Sequence, residues 1–199
     1  MLEIHNLSLS IPLQGEDVLA VSDVSLQLQA GKVLALVGES GCGKSLTAQA
    51  LLRLGEFQGV SKKSGDITLH EESLFSMSSK ALRALRGGKV AMIFQEPMTA
   101  LNPVFSIGSQ ILEVIGLHTN LDKQAAFKRA LELLADVGLQ DGEQLMQQYP
   151  DALSGGMRQR ILIAMAMAGN PEFIIADEPT TALDVSVQAA VTDLLMEIQ

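Results

Sequence analysis

The sequence predicts an α/β protein with a mostly parallel sheet, an N-terminal antiparallel β region and an inserted helical region. Three observations predict this class: alternating apolar residues near the N-terminus, short apolar runs that alternate with segments of helical periodicity, and a middle stretch of helical patterns interrupted by Gly and Pro. Hydrophobic residues make up 47% of the chain and charged residues 19%, which excludes an intrinsically disordered protein.

The N-terminal elements follow from local patterns. Residues 2–11 and 21–28 alternate apolar and polar side chains, which predicts two antiparallel strands joined by a hairpin turn at residues 14–17. Residues 33–37 form a continuous apolar run, which predicts a strand buried on both faces. Apolar residues at helical spacing over residues 44–54 predict the helix that follows.

The later elements alternate in the same way. Residues 61–80 are polar and rich in Ser, which predicts a connecting surface region with a short strand at Ile67 and Leu69. Apolar runs predict further strands over residues 89–94 and 173–176. The predicted helices cover residues 107–115, 123–137, 154–168 and 185–198.

Charge and composition exclude several classes of protein. The formal net charge is −9, which argues against a nucleic-acid-binding surface. A single cysteine, Cys42, excludes an internal disulfide. The longest strongly apolar run, residues 161–168, is far shorter than the ~20 residues of a membrane-spanning helix, and the first residues do not have the pattern of a secretory signal.

A glycine-rich motif between the predicted strand and helix carries the strongest functional signal. Residues 38–45 match G-x-x-x-x-G-K-[ST], in which glycines let backbone N–H groups approach phosphate oxygens. Lys44 supplies positive charge for the β- and γ-phosphates, and Ser45 offers a hydroxyl to Mg²⁺. A chance glycine-rich turn is the alternative, and the position between a strand and a helix disfavours it. The predicted nucleotide-binding residues are Gly38, Glu39, Ser40, Gly41, Cys42, Gly43, Lys44, Ser45 and Leu46.

Two acids follow the apolar run at residues 173–176. Asp177 and Glu178 would stand at the carboxyl end of a strand, where ligands bind in open α/β sheets. We predict that Asp177 holds Mg²⁺ through its waters and that Glu178 polarises the attacking water.

A second anion-binding turn is predicted at residues 154–156, named here the signature turn. Ser154, Gly155 and Gly156 open a helix, whose N-terminal N–H groups attract anions. One γ-phosphate does not need two helix N-termini from one chain. The pattern therefore predicts a site that two subunits share.

With these motifs the sequence resembles the ATP-binding subunits of ATP-binding cassette (ABC) transporters over essentially its whole length. The resemblance implies a phosphate-loop nucleoside triphosphatase core in which the signature turn contacts the nucleotide of the opposite subunit. Asp184 would lie at the dimer seam. Gln95 would touch Mg²⁺ and the attacking water, as a catalytic residue beside Lys44 and Glu178. The Mg²⁺ ligands would be Ser45, Gln95 and Asp177.

The resemblance also divides this single domain into three parts. Residues 1–96 would hold the β subdomain and nucleotide-binding core, and residues 97–153 the helical subdomain. Residues 154–199 would hold the signature helix, the strand before the two acids and the dimer seam.

Residues 94–103, 149–150 and 184–188 resemble the oligopeptide, dipeptide and nickel importer branch of this family. This implies a peripheral ATPase subunit at the cytoplasmic side of the bacterial plasma membrane, with ATP and Mg²⁺ as cofactors. The implied partners are a second ATPase subunit, permease subunits and an extracytoplasmic substrate-binding protein, with no nucleic acid. The alternatives are a soluble ABC ATPase acting on nucleic acid or ribosomes, which the acidic charge disfavours, and a catalytically idle ATP-binding fragment.

The sequence departs from the family pattern in two respects. The family has a histidine beyond the acid pair that contacts the γ-phosphate, whereas His5, His70 and His118 all precede the signature turn. We therefore expect a C-terminally truncated cassette that binds Mg-ATP but hydrolyses it poorly. No aromatic residue precedes Phe57, so an aliphatic side chain such as Ile11 is expected to pack against the adenine.

Overall fold

The computed structural model describes residues 1–95, 100–180 and 185–198. The chain divides into two compact units, residues 1–83 and 84–198. The predicted fold class is confirmed, since helices accompany an antiparallel sheet in the first unit and a parallel pair of strands in the second. The predicted three-part division, with boundaries after residues 96 and 153, stays a prediction.

The first unit is built on a four-stranded antiparallel sheet in the order β2-β1-β3-β4. The strands are β1 (Leu2–Leu13), β2 (Glu16–Leu28), β3 (Ser61–Leu69) and β4 (Glu72–Ser73). In β1 the buried positions change from Leu2 and Ile4 to Leu7 and Leu9, because a bulge at Asn6, whose φ is 47°, adds one residue to the strand. The bulge keeps all four apolar side chains on the buried face.

Two sequence predictions for the first unit are wrong. Residues 33–37 are not a buried strand: they pair with no other strand among the described residues, and Val37 is 93% exposed. An apolar run becomes a central strand only where neighbouring strands complete its hydrogen bonds, and the run itself does not encode those neighbours. In the region 61–80 the predicted strand at Ile67 and Leu69 is confirmed, since both residues pair with β1, but the region is not mainly a connection: it contains all of β3 and β4.

The second unit contains two parallel strands, β5 (Val90–Ile93) and β6 (Phe173–Ala176), and helices pack around them. The strands lie in register, with Val90 opposite Phe173 and Ile93 opposite Ala176. Ala91 and Ile93 of β5 belong to a hydrophobic core that apolar side chains of the helices complete. Numbered along the described part of the chain, the helices with given bounds are α1 (Lys44–Ala50), α2 (Ser79–Leu85), α3 (Ile107–His118), α4 (Lys123–Asp136), α5 (Gly142–Gln147), α6 (Gly155–Met167) and α7 (Val185–Ile198).

Polar caps set where the long helices begin. The side chains of Ser106, Asp122 and Ser154 each accept a hydrogen bond from the backbone N–H three residues later, which starts α3, α4 and α6. Fully buried Ile107, Ile111 and Ile115 lie on one face of α3, at the spacing that the sequence predicted. In the described part of the chain, no helix combines the length and the hydropathy needed to cross a membrane.

Candidate nucleotide-binding site

The phosphate loop, residues 38–45, closes around the side chain of its own lysine. Lys44 Nζ donates hydrogen bonds to the carbonyl oxygens of Gly38 at 2.9 Å and Glu39 at 2.8 Å. Helix α1 begins at Lys44, and the Thr47 N–H donates to the Gly43 carbonyl at 2.9 Å. The loop is followed by a helix as predicted, whereas the strand predicted before it is absent. The ammonium group therefore lies inside the loop in which phosphate binding is predicted.

Gly43 is required at its position for two independent reasons. Its φ is 93°, a left-handed conformation that costs other residues about 1–2 kcal/mol. A Cβ atom there would also lie 3.0 Å from the Ala20 carbonyl oxygen and 3.1 Å from Val21 Cγ2. The second glycine of the motif thus lets the loop turn into α1 while it packs against β2.

The loop remains open to solvent along its first half. Gly38, Glu39, Ser40, Gly41 and Cys42 are exposed, whereas Gly43, Lys44, Ser45 and Leu46 are partly buried. The Cys42 sulfur lies only 2.7 Å from the place that a Cβ on Gly38 would take. A side chain at position 38 would therefore require the Cys42 side chain to move.

The two acids stand where the parallel pair of strands ends. The Asp177 N–H donates to the Ile93 carbonyl at 3.0 Å, which continues the hydrogen bonding between β5 and β6 by one residue. Asp177 is buried, and Glu178 has a left-handed backbone with a φ of 45°. Strained backbone of this kind persists only where the surroundings impose it, and it is frequent at functional sites. Here it turns the chain sharply directly after β6.

Gln95 and Glu178 meet at this end of the strands. The Gln95 Nε2 amide donates a hydrogen bond to Glu178 Oε2 over 2.8 Å, although the two residues lie 83 positions apart in the chain. A donor to a carboxylate makes a stronger bond than one between two neutral groups. The structure thus brings together two of the three predicted catalytic residues, while Lys44 belongs to the other compact unit.

The signature turn opens α6 as predicted. The Ser154 hydroxyl accepts a hydrogen bond from the Met157 N–H at 3.3 Å, and both Ser154 and Gly155 are exposed. Asp184, the predicted seam residue, lies outside the described residues, as do residues 96–99 of the importer-like segment.

Gln110 is a buried polar residue that was not predicted from the sequence. Gln110 on α3 accepts from the Asn102 N–H at 2.9 Å and donates to the carbonyls of Asn102 and Phe105, both at 3.0 Å. It holds the loop that begins soon after the Gln95 segment. A glutamine beside Ile107 and Ile111, within the apolar face of a helix, was the signal that could have identified it.

The comparisons with known proteins agree with this arrangement. The family described as ABC transporter matches residues 21–181. The chain belongs to the ABC transporter family. The resemblance that the motifs indicated is therefore confirmed, and membership of this family implies that the chain binds ATP.

Relatives cover the whole chain. It is 51% identical over 199 residues to the uncharacterized ABC transporter ATP-binding protein YejF of Escherichia coli, of which it covers 38%. It is 46% identical to the oligopeptide transport ATP-binding protein OppD of Bacillus subtilis, of which it covers 56%. The chain thus spans about two fifths to three fifths of the length of these relatives.

The fold also matches solved structures. A dimeric, post-hydrolysis structure of the ATP-binding cassette MJ0796, bound to ADP and phosphate, superposes with a TM-score of 0.84 at 26% identity. That match covers 98% of this chain and 81% of the other. The chain therefore has the fold of an ATP-binding cassette.

Proposed function

We propose that this chain binds and hydrolyses ATP to power an importer of peptides, or of nickel-like cargo, at the cytoplasmic side of a bacterial plasma membrane. The observation that carries the proposal is the Gln95–Glu178 contact at the ends of β5 and β6, in a chain that also holds the phosphate-loop motif. Family membership supports ATP as the nucleotide. The name of the Bacillus relative, an oligopeptide transport protein, supports peptides as cargo.

Nucleotide binding begins with an exchange of partners at Lys44. Its ammonium group leaves the carbonyls of Gly38 and Glu39 for the more negative β- and γ-phosphate oxygens. The backbone N–H groups of residues 38–45 and the start of α1 supply the remaining donors. The Lys44 contacts thus hold the loop backbone in place before the nucleotide arrives. This reduces the conformational entropy that the loop loses when the nucleotide binds.

Hydrolysis depends on the acid pair. Glu178 accepts the proton of the attacking water, and Gln95, already in contact with its carboxylate, orients that water. Ser45, Gln95 and Asp177 would hold Mg²⁺, because hydroxyl, amide and carboxylate oxygens are the hard ligands that it prefers. When bound, the cation neutralises negative charge on the phosphoryl oxygens.

The signature turn completes the site of a second subunit, which is another copy or a related ATPase. Ser154, Gly155 and Gly156 donate to the γ-phosphate that the partner's phosphate loop holds. Permease subunits and an extracytoplasmic substrate-binding protein are the further partners, and nucleic acid is not. ATP binding closes the seam and hydrolysis reopens it.

Single-turnover hydrolysis of radiolabelled Mg-ATP tests the chemistry even when steady-state turnover is slow. Glu178→Gln should lower the rate of phosphate release about 10²- to 10⁴-fold, because the general base is lost, while ATP affinity is retained. The exposed Glu113 on α3 provides a matched control, Glu113→Gln, which should change neither quantity. A Glu178→Gln protein that releases phosphate at the unchanged rate would remove Glu178 from the mechanism.

Uptake in the bacterium that encodes the chain tests the cargo. Replacing the native copy with Glu178→Gln should abolish uptake of a labelled tetrapeptide. Loss of nickel uptake with peptide uptake intact would identify nickel, rather than peptides, as the cargo. If both cargoes enter at normal rates, the importer proposal is wrong.

A further inference from the structure

We propose that Arg158 is a positioning residue that fixes the direction of the signature turn. The proposal rests on the proposed function, in which that turn binds the nucleotide of a second subunit. Arg158 itself is buried, with 8% of its surface exposed, and is assigned no contact with the nucleotide. It acts through the backbone that leads into Ser154.

Arg158 holds both ends of the segment 150–154. Its side-chain Nε donates a hydrogen bond to the Pro150 carbonyl at 2.7 Å, and its backbone N–H donates to the Ser154 carbonyl at 3.0 Å. The Pro150 carbonyl also accepts the Leu153 N–H at 3.1 Å. The backbone bond is the ordinary one of the first helical turn, so it is the Arg158 side chain that ties the short turn at Pro150–Ala152 to the start of α6.

The Arg158 side chain adds to the contacts that the segment makes itself, which are one short turn of helix and the buried side chains of Pro150 and Leu153. Asp151 and Ala152 are exposed, and Leu153 is the buried side chain that anchors the segment between Pro150 and Ser154. Amide donors bind a phosphate only when they lie within hydrogen-bond distance and point at its oxygens. Arg158 therefore decides whether the N–H groups at the start of α6 are aimed correctly.

Helix stability does not account for an arginine at this place. A cation in the first turn of a helix opposes the helix dipole, and a buried guanidinium is costly unless its N–H groups are bonded. The same positive charge adds to the potential that attracts an anion to this end of α6. The Arg158 charge therefore makes α6 less stable by itself but favours phosphate binding at its N-terminus.

Arg160 provides a matched control on the same helix. Its Nη1 donates to the Val137 carbonyl, also at 2.7 Å, so it holds the end of α4 rather than the segment before the signature turn. Arg158→Lys and Arg160→Lys therefore each replace an arginine that donates to a carbonyl oxygen at 2.7 Å, and both keep the charge. Only the first alters the support of the signature turn.

The experiment measures self-association with Mg-ATP by sedimentation velocity, in chains that also carry Glu178→Gln so that ATP persists. Arg158→Lys should weaken ATP-dependent dimerisation roughly ten-fold or more, since a hydrogen bond from a charged group is lost. Affinity for ATP at low protein concentration should stay within about two-fold, because the phosphate loop is unchanged. Arg160→Lys should leave both quantities unchanged.

The outcomes separate the two proposals. If the parent Glu178→Gln chain forms no dimer with Mg-ATP, the shared site of the proposed function fails. If the parent dimerises and Arg158→Lys dimerises equally well, the positioning role of Arg158 fails alone. Equal weakening by the two arginine substitutions also overturns it, because it would indicate general damage to the helices.

Hydrogen exchange tests the same idea in the unaltered chain, so the test does not depend on whether a variant folds. Without nucleotide, the amides of Leu153 and Met157 should exchange nearly as slowly as those in the centre of α6. Exchange at the rate of an unstructured loop would contradict a turn that Arg158 holds in place beforehand.

Discussion

The phosphate loop and the signature turn both bring backbone N–H groups to the start of a helix, yet they are held by opposite means. At the phosphate loop, Gly43 caps α1 with a left-handed backbone, and Lys44 holds the loop through its carbonyls. At the signature turn, Ser154 caps α6 with its hydroxyl from an extended backbone. The phosphate loop is stabilised by the Lys44 ammonium group, which has to leave its carbonyl partners when a nucleotide binds. The signature turn is stabilised by contacts that a nucleotide does not replace.

The difference indicates how the two turns would share one nucleotide. Because Lys44 must exchange carbonyl partners for phosphate oxygens, the first turn responds to the nucleotide by changing its own contacts. The second turn already has its backbone fixed, and its residues Ser154 and Gly155 are exposed. We expect loss of the Lys44 ammonium group to change nucleotide affinity, and loss of the fixed contacts at the second turn to change stability or association.

The largest effect is expected from a covalent adduct on Cys42, the single cysteine, which is exposed in the phosphate loop. Modification with N-ethylmaleimide should abolish ATP binding, because the sulfur lies beside Gly38 and an adduct would fill the loop. Binding of a fluorescent ATP analogue measures the loss, and bound Mg-ATP should protect the thiol. A Cys42→Ser chain should resist the reagent; unaltered binding by fully modified protein would contradict the prediction.

The next effect is on affinity. Lys44→Ala should weaken Mg-ATP binding roughly ten- to hundred-fold, the loss expected for a charged hydrogen-bond donor. Titration calorimetry measures it. Lys63→Ala is the matched control, since Lys63 pairs with Asp17 at the surface of the same unit, and it should bind ATP normally. Equal affinities for the two variants would show that the ammonium group is not a phosphate ligand.

Replacing one glycine in each turn by alanine should change the free energy of unfolding differently. Gly43→Ala should lower the free energy of unfolding by about 1–2 kcal/mol because of the left-handed backbone, and more if Ala20 does not yield. Gly155→Ala should not lower it, because a Cβ there meets nothing within 4 Å and alanine favours a helix. Urea unfolding measures both. Similar losses at the two positions would contradict the contrast between the turns.

The smallest effect concerns the serine cap. Ser154→Ala should cost about 1 kcal/mol of unfolding free energy, and Ser154→Gly only a few tenths, as at other helix N-termini. Ser106→Ala on α3 is the control, since its hydroxyl accepts from the Ser109 N–H in the same way. No loss at Ser154 alongside a normal loss at Ser106 would mean that the Ser154 hydroxyl does not stabilise the signature turn.

The sequence predicted the parts of the site that depend on neighbours in the chain. The glycine spacing at residues 38–45, the two acids after an apolar run and the Ser-Gly-Gly start of α6 were all recognisable, because each depends on local backbone geometry. Helix α3 was predicted from Ile107, and α4 from Lys123 to within one residue of its end, for the same reason: caps and apolar periodicity act over a few residues.

Features that depend on distant partners were decided only by the tertiary structure. The apolar run at residues 33–37 satisfied the local pattern of a central strand but has no strand beside it among the described residues, whereas the polar stretch at 61–69 pairs with β1. The same holds for the bond between Gln95 and Glu178 and for the two carbonyls that Arg158 holds. Propensity, capping and motif spacing act over a few bonds of the chain, whereas pairing and burial depend on which distant segments fold against one another.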